Sequence, residues 1–303
     1  MNPVDLHFQT NIAHWSWTIA AFLWFVGIAG MGSVAYYFVR KKPMAIVIFA
    51  SLVLGLALVF SHLGRWWNMP MVFWTMISEG HFNFGSWMLI GIAVLSVHLV
   101  FSAILLVANL PGVLERFGWL KWTRRLDEND LFVGFFGFIG FFGTVYSGFL
   151  ISQAVGIPLW NTALIPLLWV ISASVATVAV LELFYVFGWV DERVSVFGIR
   201  LGLGLDAAKL LAILAFLHVS MAVGAAAGAR YGAAEMVSGD LATMTWLGVI
   251  GIGILVPMAI AAFTILRGKS KPLLFISSIA ALTGVFLLRA VVLLAGVWEP
   301  LVL

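Results

Sequence analysis

Cysteine is absent from all 303 residues, and charge is scarce at 10% Asp, Glu, Lys and Arg. The first absence excludes a disulfide, a thiolate zinc site and a Cys-ligated iron–sulfur cluster within this chain. Any redox chemistry must then use carriers held by a partner or by a bound small molecule. The scarcity of charge, with 63% hydrophobic residues and a mean hydropathy of +1.11, excludes an ordinary soluble domain. Strict apolar–polar alternation is also missing, so a transmembrane barrel does not fit. What remains is an all-α integral membrane protein.

A bilayer core about 30 Å thick needs roughly 20 apolar residues per helix. Eight stretches meet that requirement, at about 14–39, 43–61, 86–110, 131–154, 159–188, 199–223, 241–266 and 273–297. Of the 16 Lys and Arg residues, 12 fall in connections after spans one, three, five and seven: Arg40, Lys41 and Lys42; Arg116, Lys121, Arg124 and Arg125; Arg193 and Arg200; Arg267, Lys269 and Lys271. The positive-inside rule puts these in the cytoplasm and both termini outside. The formal charge of +3 is thus a matter of membrane orientation, not of nucleic-acid binding. The start, MNPVDLHFQTNIAHW, has no basic run before its apolar stretch, so a cleaved signal peptide is not expected.

Gly134, Gly137, Gly140 and Gly143 give span four a face for close helix approach. Pro166 and Pro257, placed inside spans five and seven, are expected to kink them. Residues 62–85, with Trp66, Trp67, Met69, Met71, Phe73 and Trp74, read as an interfacial helix or a docking surface on the outer side.

Ionisable groups inside spans are costly and mark candidate sites. Asn11 and His14 share a helix face at the outer mouth of span one. Tyr146, His218 and Arg289 are expected near the outer ends of spans four, six and eight, and His62 and Arg65 close span two on that side. A pocket of His, Asn and Tyr suits a quinone, whose carbonyls need hydrogen-bond donors and whose reduction consumes protons that histidine can relay. Glu182, Asp206, Lys209 and His98 fall deeper. They read either as a half-path for protons or as a structural ion cluster in which Lys209 needs a carboxylate.

Several stretches resemble the NrfD/PsrC type of quinone-interacting membrane subunit: Asn11-x-x-His14, HLGRWW at 62–67, GSW at 85–87, YSGFLISQAVGIPLWNTALIPLLWVIS at 146–172, and LLRAVVLLAG at 287–296. The block at 146–172 is the most specific. The resemblance implies two four-helix bundles (1–154 and 155–303) with both termini outside in a prokaryotic cytoplasmic membrane. It also implies a menaquinone or ubiquinone site near the outer surface. Asn11, His14 and Tyr146 match the family's quinone-holding positions, with His14 and Tyr146 as the reactive pair. Arg65 matches the arginine of a Leu-Gly-Arg-Pro element whose proline is here Trp66, so the outer loop is expected to differ in shape. Arg65, His218 and Arg289 complete the expected quinone-binding set, the arginines stabilising an anionic reduced ring. Partners implied are an iron–sulfur subunit and a molybdopterin catalytic subunit on the outer face, with no metal or haem in this chain. Longer relatives have ten spans; this chain has room for eight. A haem-b anchor and a secondary transporter are the alternative readings of the same spans.

Overall fold

The computed structural model describes residues 15, 17–63, 65–80, 83 and 85–299. Among these described residues, eight helices are long and apolar enough to cross a membrane. They are α1 (Trp17–Val39), α2 (Lys42–His62), α4 (Trp87–Ala108), α7 (Asp130–Ser152), α8 (Leu164–Val186), α9 (Glu192–Met221), the span Met244–Arg267 and α12 (Lys271–Leu294). Shorter helices are α3 (Met69–Ser78), α5 (Pro111–Arg116), α6 (Trp122–Glu128) and α10 (Ala227–Val237). A helix satisfies its backbone groups internally, which lipid cannot do for it. Polar caps mark where that need ends: the Asn129 side chain accepts from the N–H groups of Leu131 and Phe132 to open α7, and Ser86 opens α4.

Successive spans run antiparallel. One end of the molecule, termed the basic face, carries Arg40, Lys41, Lys42, α5, α6, Lys269 and Lys271; the other is the opposite face. The first four spans pack on one another, with α1 against α2 and α7, and α4 against α2 and α7. The last four do likewise through α8 against α9 and α12. Contacts of α1 with α8 and α12, and of α7 with α8, join the two sets.

The α1–α7 contact depends on the glycines of span four. A Cβ on Gly140 would stand 2.6 Å from the Gly30 carbonyl oxygen, so only glycine lets the backbones meet there. At the basic face Arg40 ends α1 with φ 41°, a region that non-glycine residues rarely enter. Its guanidinium is tied to the Asp127 carbonyl and the Asp130 carboxylate, which fixes that turn.

Three sequence expectations are corrected. Residues 159–163 lie in the connection before α8, where Asn161 Nδ2 donates to the Ser152 carbonyl at 2.8 Å. Pro166 therefore falls in the first turn of α8, where a missing N–H costs nothing. The sixth span starts at Glu192, so Arg193 and Arg200 belong to the helix rather than to the connection. In the seventh span, residues Met244–Leu255 form a π-helix that passes into α11 (Val256–Arg267) just before Pro257. The 62–85 segment does contain a helix, α3, and Trp67, Met71, Trp74 and Ile77 are exposed.

Candidate functional site

Tyr146 lies six residues before the end of α7, about 9 Å from the opposite face at 1.5 Å per residue. It is 4% exposed, and its hydroxyl makes no hydrogen bond to another described residue. The phenol fills the space over Gly91 of α4, where any side chain would collide with it. One turn nearer the surface, Trp87 and Phe149 stack with ring centroids 4.9 Å apart and planes 18° from parallel. A buried phenol with free donor and acceptor capacity thus sits beneath an aromatic pair.

Asn11 and His14 lie outside the described residues. Their neighbour Trp15 stands against Trp160 at 5.8 Å, and Trp160 Nε1 donates to the Val292 carbonyl of α12 at 2.8 Å. The entry to α1 is thereby held against the connection that follows α7.

The other expected outer residues divide by exposure. His62, Arg65 and His218 are exposed. His218 continues the outward stripe of α9 that includes Leu211, Leu214 and Met221, so helical spacing turns it away from the interior. Arg289 is the opposite case, 0% exposed and enclosed by α1, α8 and α12. Its Nη1 donates to Ser172 Oγ at 3.1 Å and to the Val285 carbonyl at 3.2 Å, and the guanidinium lies 5.3 Å from the Trp169 ring centroid. No carboxylate pairs with it among the described residues, and Nε and Nη2 have no partner. Gly27 of α1 leaves room for Nη2, which a Cβ would approach to 2.8 Å.

The deeper residues divide into two clusters. In the first four spans, His98 Nε2 is 2.7 Å from Ser33 Oγ, joining α4 to α1. Below it, the Tyr36 hydroxyl donates to Asp127 at 2.6 Å and accepts from Asn109 Nδ2 at 2.7 Å. In the last four spans, Lys209 Nζ is 2.9 Å from Asp206 Oδ1, so the lysine has the carboxylate it needs. Lys209 also donates to the Gly253 carbonyl at 3.0 Å. Pro257, four residues on, has no N–H to offer that carbonyl, and the ammonium supplies the donor instead. Glu182 accepts from the Ser278 hydroxyl at 3.3 Å. Among the described residues no group of three or more His, Cys, Asp or Glu side chains is arranged to hold a metal ion.

The polysulphide reductase, NrfD family profile matches residues 5–299. The chain belongs to that family. The C subunit of polysulfide reductase from Wolinella succinogenes is 28% identical, over 95% of this chain and 96% of that protein. Protein NrfD of Escherichia coli is 27% identical, over 96% of each protein, and its Haemophilus influenzae homolog 26%, over 97% of each. Membership of the NrfD family, together with the eight apolar helices, makes this a multi-pass membrane protein.

Reading the NrfD-family sequence alone missed Trp87, Gly91 and Phe149 around Tyr146, and Trp169 and Ser172 around Arg289. Gly91 and Phe149 look like ordinary residues of apolar spans, and Trp87 stood only within the GSW stretch; their meeting with Tyr146 across α4 and α7 is what singles them out. The Tyr36–Asn109–Asp127 group carried a fainter signal, since all three stand at the basic-face ends of their helices.

Proposed function

We propose that this chain is the quinone-reactive membrane subunit of a multi-subunit respiratory oxidoreductase. Its spans form two four-helix bundles in the prokaryotic cytoplasmic membrane, with the basic face cytoplasmic and both termini outside. The observation that carries the reading is Tyr146, a buried side chain whose hydroxyl has no partner among the described residues, beneath the Trp87–Phe149 pair near the outer end of α7. Those residues fit a quinone, which needs a hydrogen-bond donor for a carbonyl oxygen and aromatic walls for its ring. When bound, the quinone supplies a two-electron, two-proton couple.

Asn11, His14 and Tyr146 hold the quinone oxygens by hydrogen bonds. The His14 imidazole would exchange a proton with one quinone oxygen, while Tyr146 Oη would donate a hydrogen bond that orients the ring. Arg65 and His218, both exposed, stand at the rim of the outer face rather than against the ring. Arg289 acts from inside the bundle as a fixed positive charge. An iron–sulfur subunit on the outer face exchanges electrons with the site and connects it to a molybdopterin catalytic subunit. Polysulfide reductase is the activity named for the Wolinella relative, and membership of one family supports this role.

The test is a titration of the purified chain with a fluorescent quinol analogue. Saturable quenching is expected for the wild type. Tyr146→Phe removes one hydrogen bond, worth about 1 kcal/mol, and weakens binding roughly five- to ten-fold. His14→Ala abolishes it while the chain stays folded. A folded wild type without saturable binding refutes the proposal.

A further inference from the structure

Glu182 of α8 and Asp206 of α9 line one small pocket of about 20 Å³, together with Gly202, Pro257, Ala261 and Ser277. A space of that size admits one water-sized occupant. Ser277 is 5% exposed, yet its hydroxyl has no hydrogen bond to another described residue. An unengaged hydroxyl and two carboxylates therefore face the same small space. Oxygen donors of this kind suit a hard cation.

Local charge points the same way. The Lys209 ammonium, 2.9 Å from Asp206 Oδ1, offsets one carboxylate. Glu182 has only the Ser278 hydroxyl, at 3.3 Å. Arg289 is committed to Ser172, the Val285 carbonyl and the Trp169 face, and forms no ion pair with either acid. Arg289 acts electrostatically on Lys209, so the four buried charges sum to zero, yet Glu182 has no cation beside it, an arrangement that desolvation disfavours. A single positive charge in the cavity supplies that partner. Glu182 stands four residues, about 6 Å, before the basic-face end of α8, which sets a short route for entry.

We propose that Glu182, Asp206 and Ser277 form a binding site for one monovalent cation, either Na⁺ or a proton carried on Glu182. The site is separate from Tyr146 and from His98, and its test needs no quinone, so it stands or falls independently of the function proposed above.

Two measurements on the full-length protein in lipid nanodiscs decide it. The first is radioactive sodium binding at constant ionic strength, balanced with choline chloride. The second is the infrared carbonyl band of a protonated carboxyl at neutral pH. For a sodium site, one Na⁺ binds per protein molecule, Glu182→Gln abolishes binding, and Ser277→Ala weakens it about ten-fold with both carboxylates intact. For a proton site, no sodium binds, the protonated-carboxyl band is present, Glu182→Gln deletes it, and Ser277→Ala shifts it. Absence of both sodium binding and the band overturns the proposal, as does a band that survives in folded Glu182→Gln.

Discussion

The first four spans and the last four solve the same problem with different chemistry. Between α1, α4 and α7, the polar contacts at depth are uncharged: Ser33 with His98, and lower down the Tyr36 hydroxyl with Asn109. Their charged partners, Asp127 and Arg40, wait at the basic face. Between α8, α9, α11 and α12, the buried groups are Glu182, Asp206, Lys209 and Arg289, all ionisable and all within spans. Backbone approach does not separate the two sets: Gly30 and Gly140 let α1 and α7 meet directly, and Gly253 and Gly284 do the same for the seventh span and α12. A neutral, tightly joined set needs nothing further to persist in lipid. A charged set persists only if every charge is answered, and such sets in membranes usually mark where something moves or binds.

That contrast is broken most severely at Lys209. Lys209→Met leaves Asp206 as an unpaired buried carboxylate and strips the Gly253 carbonyl of its donor. The expected loss is about 3–5 kcal/mol, read as a lowered unfolding midpoint in detergent. Adding Asp206→Asn to the same protein should restore most of it, because the penalty lies in the stranded charge. A double variant no more stable than the single one would mean that the packing of Lys209, rather than its charge, holds this region.

In the first four spans the largest effect should come from shape. Gly140→Leu forces α7 off the Gly30 carbonyl and is expected to cost about 1–3 kcal/mol through overpacking. Ser33→Ala removes only a neutral interhelical contact with His98, so about 1 kcal/mol is expected in the same unfolding assay. If Ser33→Ala were as damaging as Lys209→Met, the distinction between a neutral and a charged half would fail.

Much of this was legible in the sequence itself, for physical reasons that also mark its limits. Lipid demands long apolar runs, so all eight spans stand out in hydropathy, and Asn129 announces the start of α7 because a cap must satisfy free N–H groups. The i, i+3 spacing of Asp206 and Lys209 puts both on one helix face, as an ion pair needs. Boundaries failed where composition and conformation part. Residues 159–163 are apolar enough to pass for helix, yet the Asn161 side chain is spent on the Ser152 carbonyl at the end of α7. Arg193 and Arg200 cut the apolar run short although the α9 backbone continues beneath them. The π-helix over Met244–Leu255 leaves no trace in composition. Facing was the hardest to read: His218 and Arg289 both sit toward the ends of apolar spans, but one belongs to an outward stripe and the other to the interior. Partners across helices, such as Gly91 for Tyr146, exist only once the helices are packed.

The smallest expected effect tests whether charge matters at the surface as it does inside the last four spans. Lys269, in the link between α11 and α12, lies 3.3 Å from Glu192 Oε1, donates to the Glu192 carbonyl at 3.2 Å, and stands 4.8 Å from the Tyr185 ring centroid. It therefore ties the end of α8 and the start of α9 to that link. Glu192 is 73% exposed, so water already screens the pair, and Lys269→Gln should cost no more than about 1 kcal/mol. The ion-pair share of that loss should fade as the salt is raised from about 0.1 M to 1 M, because screening shortens from about 10 Å to about 3 Å. A loss at Lys269 that is large and indifferent to salt would place its worth in the tyrosine contact and the backbone hydrogen bond. The same salt series on Lys209→Met should leave its deficit nearly unchanged, since the Asp206–Lys209 pair is buried beyond the reach of mobile ions.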